Sequence, residues 1–375
     1  LDAVAARGGL DGALLDAVAD AVVAMHAAAP VAVAAAPAAM AKVLDGNRDA
    51  ALAAGLDADA VDGWAAAARA ALAKAAPLLA ARAGQGRLRR CHGDLHLGNL
   101  CLLDGRPAPF DALEFDEALA TIDTGYDLAF LLMDLDRRAG RAAANRVLNR
   151  YAACSGDAGF LGALPLFLSL RALIRAHVEA RKGGDGAAYL AAARRYLSPA
   201  PPRLVGIGGL QGTGKSRLAR LLAPGLGAAP GALVLRTDEI RKRRAGVAFE
   251  QRLPPEAYAP AESRAVHDAL FMAAAAALAA GHAVVADAVW LDPAMRAQLE
   301  AVAARGGAPF EGIWLQAPIA VLRARIAARR GDASDADAAV LDHAAQADSG
   351  PLTWHRLDAS GDPLPAALST LGQDG

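Results

Sequence analysis

The chain has 375 residues, and at roughly 100–200 residues per domain that length predicts two or three domains. Hydrophobic residues make up 55% and charged residues 21%, with 39 basic side chains against 40 acidic ones. That balance excludes a disordered polyelectrolyte and leaves no charge excess for a dedicated nucleic-acid binder. Cys91, Cys101 and Cys154 are too few and too scattered for a disulfide framework or a CxxC zinc site. The longest soft apolar run, residues 271–281, is about half of the ~20 residues that span a bilayer, and the first residues read as helix with no basic-then-apolar leader. A cytoplasmic protein, free of membrane and of nucleic acid, is the expectation.

From residue 1 to about 29 the apolar spacing Leu10, Leu14, Leu15, Val18, Val22, Val23, Met25 is helical. A second helical stretch runs from about 58 to 81, after the turn signals Gly55 and Asp57. Between 87 and 115 short apolar runs at 100–103 and 108–110 flank Asp104-Gly105, a dipeptide of tight turns, and predict a small β-hairpin. Helical periodicity resumes over 126–196, broken near Gly156, Pro165 and Gly183. Residues 1–197 therefore predict a mainly helical domain around one hairpin, and Ser198-Pro199-Ala200-Pro201-Pro202 predicts a semi-rigid linker over 198–203. From 204 to 375 the elements alternate. Strands are expected at 204–208, 232–235, 283–287, 310–316 and 355–358, with helices from 214 and at 261–280, 293–305 and 319–330. Such alternation predicts an α/β domain with a parallel sheet covered on both faces.

Gly209-Leu210-Gln211-Gly212-Thr213-Gly214-Lys215-Ser216 fits G-x-x-x-x-G-K-[ST] and lies between an expected strand and an expected helix. In this pattern the glycines let backbone N–H groups wrap phosphates at a helix N-terminus. Gly209, Gly212, Thr213, Gly214, Lys215 and Ser216 are thus the candidate ATP-binding residues, Lys215 reaching the outer phosphates and the Ser216 hydroxyl ligating Mg²⁺. Asp287, ending an apolar strand, is a second candidate Mg²⁺ group. Asp238, after the strand 233–235, is a candidate base or substrate-orienting group. The run Arg241, Lys242, Arg243, Arg244 reads equally as a grip on an anionic substrate and as a solvated helix face. Arg329 and Arg330 precede the polar segment 331–337, which predicts a mobile lid over the γ-phosphate. The stretch from 204 to about 358 resembles the zeta-toxin-like and gluconate-kinase-like P-loop kinases. That resemblance implies ATP and Mg²⁺ at Lys215 and Ser216, Asp238 as base, and Arg329 or Arg330 as lid arginine. A ring-forming motor is disfavoured, because Ala288 follows Asp287 where such motors use a water-activating Glu.

A second phosphotransfer pattern lies upstream. His92-Gly93-Asp94-Leu95-His96-Leu97-Gly98-Asn99 has the H-x-D-x-x-x-x-N spacing of a kinase catalytic loop, and Asp111 follows a hairpin strand where a metal carboxylate is expected, with Glu114 and Asp116 close by. His96 with nearby acidic residues also admits a zinc reading, for which the sequence offers no third well-spaced ligand. With Tyr126-Asp127-Leu128-Ala129-Phe130 behind it, the stretch resembles the C-terminal lobe of the aminoglycoside phosphotransferase family. The whole chain resembles bacterial fusions of that lobe with an ATP-binding P-loop protein. The resemblance implies Asp94 as base, Asn99 and Asp111 as metal ligands, and His92 and His96 as braces. The strand lysine and helix glutamate of a kinase N-terminal lobe cannot be placed in residues 1–91, where Lys42 and Lys74 are the only lysines. Together with Leu1 in first position, this leads to the expectation of a piece of a longer protein of about 500 residues. The expected function is transfer of the γ-phosphoryl of ATP to a small-molecule hydroxyl by the C-terminal domain. An ATP-binding switch controlling the first lobe is the alternative, and phosphorylation of a nucleotide sugar or a protein a third reading.

Overall fold

The structure, a computed structural model, describes residues 1–32, 36–113, 117–329 and 332–372. The chain divides into two compact units, Leu1–Ala200 with Ala228–Pro230, and Pro201–Gly227 with Gly231–Gly375. The first is mainly helical and the second is an α/β unit with a five-stranded parallel sheet, the two fold classes read from the sequence.

The first unit runs α1 (Asp2–Ala6), α2 (Gly12–Ala28), α3 (Ala36–Ala53), α4 (Ala58–Gly84), β1 (Leu88–Arg90), β2 (Leu100–Leu103) and β3 (Arg106–Pro109). It continues through α5 (Glu117–Ala120), β4 (Thr121–Asp123), α6 (Thr124–Arg138), α7 (Arg141–Ser155), α8 (Leu164–Arg181) and α9 (Gly186–Tyr196). Aspartates start several helices in the expected way: Asp11, Asp57 and Asp185 each accept a backbone N–H three residues on. β2 and β3 form the expected antiparallel hairpin, with Leu103 opposite Arg106 across Asp104-Gly105. Two features differ from the sequence reading. Helix α3 carries no apolar stripe clear enough to announce it, and its proline, Pro37, sits in the first turn where a missing N–H costs nothing. A second small sheet pairs β1 with β4, Leu88 opposite Asp123, across more than thirty residues, a distance over which no local pattern reports.

The second unit runs β5 (Leu204–Gly209), α10 (Lys215–Leu222), β6 (Leu233–Arg236), α11 (Thr237–Arg244), α12 (Pro260–Ala279), β7 (Val284–Asp287) and α13 (Pro293–Arg305). β8 (Phe310–Gln316), α14 (Ile319–Ala328), α15 (Ala338–Gln346), β9 (His355–Asp358) and α16 (Leu364–Thr370) complete it. The strands order β6-β7-β5-β8-β9, all parallel. All six residues of β5 are buried, as suits a central strand covered on both faces. Val205 and Ile207 of β5 pack with Leu218 and Leu222 of α10, Val285 of β7 and Ile313 and Leu315 of β8. Because the sheet is parallel, the C-terminal ends of β5, β6 and β7 emerge on one edge, and ligands of open α/β sheets sit there. Helix α11 includes the basic run, one of the two readings the sequence offered for it; α15 and α16 went unread. No helix among the described residues is long and apolar enough to cross a membrane.

One buried ion cluster holds the first unit together. Arg82 near the end of α4 donates to Asp123 at the end of β4 through Nε and Nη2, both at 2.8 Å, and to Asp157 through Nη1 at 2.8 Å. Burial opposes the Arg82 charge, yet the two carboxylates more than offset it and hold the guanidinium above its ordinary pKa. Asp123 also caps α6 by accepting the Gly125 N–H at 2.7 Å. Arg82→Ala strands two buried carboxylates and is expected to cost about 3–5 kcal/mol in chemical denaturation, far more than the loss of an exposed pair such as Arg69 with Asp45.

Candidate functional site

In the second unit the chain leaves β5 at Gly209 and enters α10 at Lys215 through a loop with φ of +133° at Gly209, +83° at Gly212 and +91° at Gly214. Gly209 is required twice over: its φ is one that L side chains avoid, and a Cβ there would lie 2.4 Å from the Leu315 carbonyl oxygen on β8. Lys215 Nζ closes the loop on itself, donating to the carbonyls of Gly209 at 2.8 Å and Leu210 at 2.9 Å. Burial, helped by Arg236 and Arg329, lowers the Lys215 pKa against the pull of Asp287 and Asp238. The Ser216 hydroxyl donates to Asp287 Oδ2 at 2.5 Å, joining the first turn of α10 to the end of β7. Thr213 turns its hydroxyl back to the Leu210 carbonyl at 2.8 Å.

Asp287 stands opposite Arg236 in the β6–β7 register, and Arg236 Nε donates to Asp287 Oδ2 at 3.3 Å. The same guanidinium reaches Glu239 at 2.7 Å and Asp332 at 3.0 Å. Asp238, in the first turn of α11, has its pKa raised by burial and by Asp287, opposed by Arg236, Lys215 and Ser334. Arg241 on the same helix donates to the Ala257 carbonyl at 2.6 Å and lies 4.7 Å from the Tyr258 ring centre. A cavity of about 1040 Å³ is lined by Gly212, Gly214, Lys215 and Ser216, by Asp287 and Asp238, and by Arg329. The structure thus brings these expected residues to one cleft; Gly209 and Thr213 lie in the loop beneath it, and Arg330 lies outside the described residues. Segment 332–337 is tied down at several points: Asp332 to Arg236, Asp335 to Lys242 and Tyr258, and Asp337 to Arg252. The aspartates that made it look loose in the sequence each meet a donor.

In the first unit His96 begins a single 3-10 turn, Leu97–Asn99, and accepts the Gly98 N–H at 3.0 Å. Asn99 Nδ2 donates to Asp94 Oδ2 and to the Asp94 carbonyl, both at 3.0 Å. Asp111 is exposed with φ +61°, and its neighbour Phe110 is bonded to both sides of the loop, its carbonyl to His92 Nε2 at 2.9 Å and its N–H to the Asn99 carbonyl at 3.0 Å. Burial raises the Asp94 pKa, but His96, Arg171 and Asn99 outweigh it and hold the carboxyl below its ordinary value. Beneath the loop, fully buried Asp127 accepts the His92 N–H at 3.2 Å, the Gly93 N–H at 2.8 Å and His26 Nε2 at 3.0 Å. Asp134 accepts the Leu97 N–H at 3.0 Å, and Arg171 donates to the Gly93 carbonyl at 3.0 Å. Glu114 and Asp116 lie outside the described residues. Among those described, the side chains close enough to share a metal ion are His26, Cys91 and Asp127, a group without His96.

Residues 5–162 match the family model of the phosphotransferase enzyme family, and residues 204–349 match that of an AAA domain. The first unit thus resembles the phosphotransferase family and the second an AAA domain, and the two stretches take those names. It is 34% identical over 296 residues to uncharacterized proteins of Mycobacterium tuberculosis and Mycobacterium bovis, a match over 76% of this chain and 59% of each relative. The chain thus spans well under two thirds of the length of these curated relatives. Solved structures with a partial likeness include a gluconokinase from Sinorhizobium meliloti, 20% identical over 46% of this chain and 93% of that one with a TM-score of 0.32. The Mycobacterium tuberculosis APS kinase in complex with AMPPNP and APS is 22% identical over 46% and 98%, also with a TM-score of 0.32.

Sequence reasoning missed Arg236 and Asp332 in the AAA domain, and Asp134 and Arg171 in the phosphotransferase-family domain. Arg236 carried a faint signal, a charged residue closing an apolar strand; Arg171 looked like any arginine of an amphipathic helix. Gly209→Ala pushes a methyl group into the Leu315 carbonyl and is expected to lower the stability of the AAA domain by about 1–3 kcal/mol and to weaken Mg-ATP binding, read by thermal melting and calorimetry.

Proposed function

We propose that the AAA domain is an ATP-dependent kinase that transfers a γ-phosphoryl group to the hydroxyl of a small molecule. The observation that carries this reading is the single cleft lined by the phosphate loop, Asp287, Asp238 and Arg329. Its volume of about 1040 Å³ leaves room for an acceptor beside a nucleotide, at the upper end of the range of roughly 300–1,000 Å³ for ligand pockets. Asp238 lines this cleft together with the phosphate loop, in reach of an acceptor that enters the same space.

The residues divide the work as phosphoryl transfer requires, by positioning and charge compensation. Backbone N–H groups of the loop and the start of α10 receive the phosphates, and Lys215, now held by two carbonyls, exchanges those partners for phosphate oxygens. Ser216 and Asp287 suit a magnesium ion: a hydroxyl and a carboxylate already 2.5 Å apart, beside a helix N-terminus, are the oxygen donors such an ion takes. When bound, the ion neutralises charge on the transferring phosphate. Asp238 takes the proton of the acceptor hydroxyl, and Arg329 faces the charge that develops on the transferred group. The phosphotransferase-family domain carries a second arrangement of the same kind at Asp94 and Asn99.

Lys215→Ala is expected to abolish Mg-ATP binding measured by calorimetry on the full chain. Binding that survives would place the nucleotide elsewhere. In assays with sugars, nucleosides and aminoglycosides, a phosphorylated acceptor is the expected product, whereas slow release of phosphate alone would favour the switch. Asp238 must be ionised to act as base, and burial raises its pKa, so kcat is expected to fall on the acid side at a pH above the ordinary carboxylate value of about 3.9. Asp238→Asn should retain Mg-ATP binding and lose turnover.

A further inference from the structure

Helix α11 carries the cleft residues Asp238 and Arg241 and, next to Arg241, a lysine that does not line the cavity. Lys242 is 1% exposed. Its Nζ donates to Asp335 Oδ1 at 2.8 Å and to the Gln251 carbonyl. Asp335 gathers two further donors, the Leu253 N–H at 2.9 Å and the Tyr258 hydroxyl at 2.6 Å. The next residue along, Ala336, offers its carbonyl to the Arg329 guanidinium, which lines the cleft. A continuous chain of contacts therefore runs from the helix that bears Asp238, through Lys242, Asp335 and the Ala336 carbonyl, to Arg329.

Burying an ammonium group costs several kcal/mol unless a carboxylate meets it, and an apolar side chain would pack this position of α11 at no such cost. What the ion pair adds is a fixed location for Asp335. Three donors from α11 and the 251–258 stretch converge on one carboxylate, and displacement of segment 332–337 would leave all three short of a partner. We infer that Lys242 is a positioning residue for phosphoryl transfer: by holding Asp335 it fixes segment 332–337, and with it the carbonyl that aims Arg329 into the cleft. The inference deepens the kinase reading of this site and rests on it for the word transfer. The contact chain itself is a property of the free protein.

The test uses the full chain and four variants, Lys242→Met, Lys242→Arg, Arg329→Ala and the double variant Lys242→Met/Arg329→Ala. Hydrogen exchange of amides 332–337 is measured without nucleotide, and kcat and the KM for ATP are measured with an acceptor found in the panel above. Lys242→Met is expected to speed exchange in the segment and to lower kcat by roughly ten- to a hundredfold, as misplacement of a catalytic group by about 1 Å does, with the KM for ATP held within about twofold. Lys242→Arg, which keeps the charge, restores most of both. In the Arg329→Ala background the same change should cost nothing further in kcat, because the group it positions is gone. Unaltered exchange in Lys242→Met overturns the inference, as do kcat losses that multiply in the double variant. Should Lys242→Met fail to fold, Tyr258→Phe removes one donor to Asp335 without stranding a charge. Faster exchange in that variant supports the latch and unaltered exchange overturns it. The exchange measurement needs neither ATP nor acceptor, so a failure of the kinase reading is seen in turnover and a failure of the latch in exchange.

Discussion

Arg236 is a cation that water hardly reaches, with 4% of its surface exposed, and the edge of the sheet where β6 and β7 end is organised around keeping it paired. Burial alone would drive its pKa down; Glu239, Asp287 and Asp332 together hold it up. These carboxylates come from α11, from β7 and from the segment after α14, so three parts of the chain are bound to converge on one planar fork. The parallel register supplies the first contact by setting Arg236 beside Asp287 at the strand ends. Removing the arginine instead would leave three carboxylates converging with no cation between them, which makes Arg236 the part of the arrangement least open to change.

The two domains hold their candidate site loops by opposite means. In the AAA domain the backbone is bent through conformations open to glycine, and the sheet presses on the loop from below: Gly209 fits only because nothing projects toward Leu315. In the phosphotransferase-family domain the loop is held from beneath by buried carboxylates, Asp127 accepting two consecutive N–H groups and Asp134 a third. Asp127 keeps its charge because His26, Arg171 and His92 outweigh the cost of its burial and hold its pKa low. The first solution spends conformational freedom, the second spends solvation.

What the sequence made legible follows from how local each feature is. The phosphate loop is eight contiguous residues whose types have little freedom, and β8 could be read to the residue because its apolar run ends at Gln316. Asp238 and Asp287 were visible as carboxylates just past or at the ends of strands, where an α/β sheet places chemistry. Lys242 and Asp335, by contrast, are 93 residues apart and Arg236 and Asp332 are 96 apart. No spacing rule connects such residues, and in the sequence their charges argued for solvent. Segment 331–337 consequently read as a mobile lid, and the basic run of α11 as either a grip on an anionic substrate or a solvated helix face. The hairpin at β2 and β3 was legible from its turn dipeptide, whereas the β1–β4 pair joins residues more than thirty apart and left no trace in either segment.

The scarcity of lysine gives the two units different surface chemistry. Lys42, Lys74 and Lys182 are exposed and all belong to the first unit, while the second contains only Lys215, engaged by two carbonyls, and Lys242, sealed against Asp335. Amine-reactive dyes, crosslinkers and sensor surfaces will therefore attach mainly through the first unit, and in the second Lys215, which lines the cleft, is the amine open to them. The same reagents applied under gentle warming would report the opening of the latch, since a further labelled amine in the second unit can come only from Lys242.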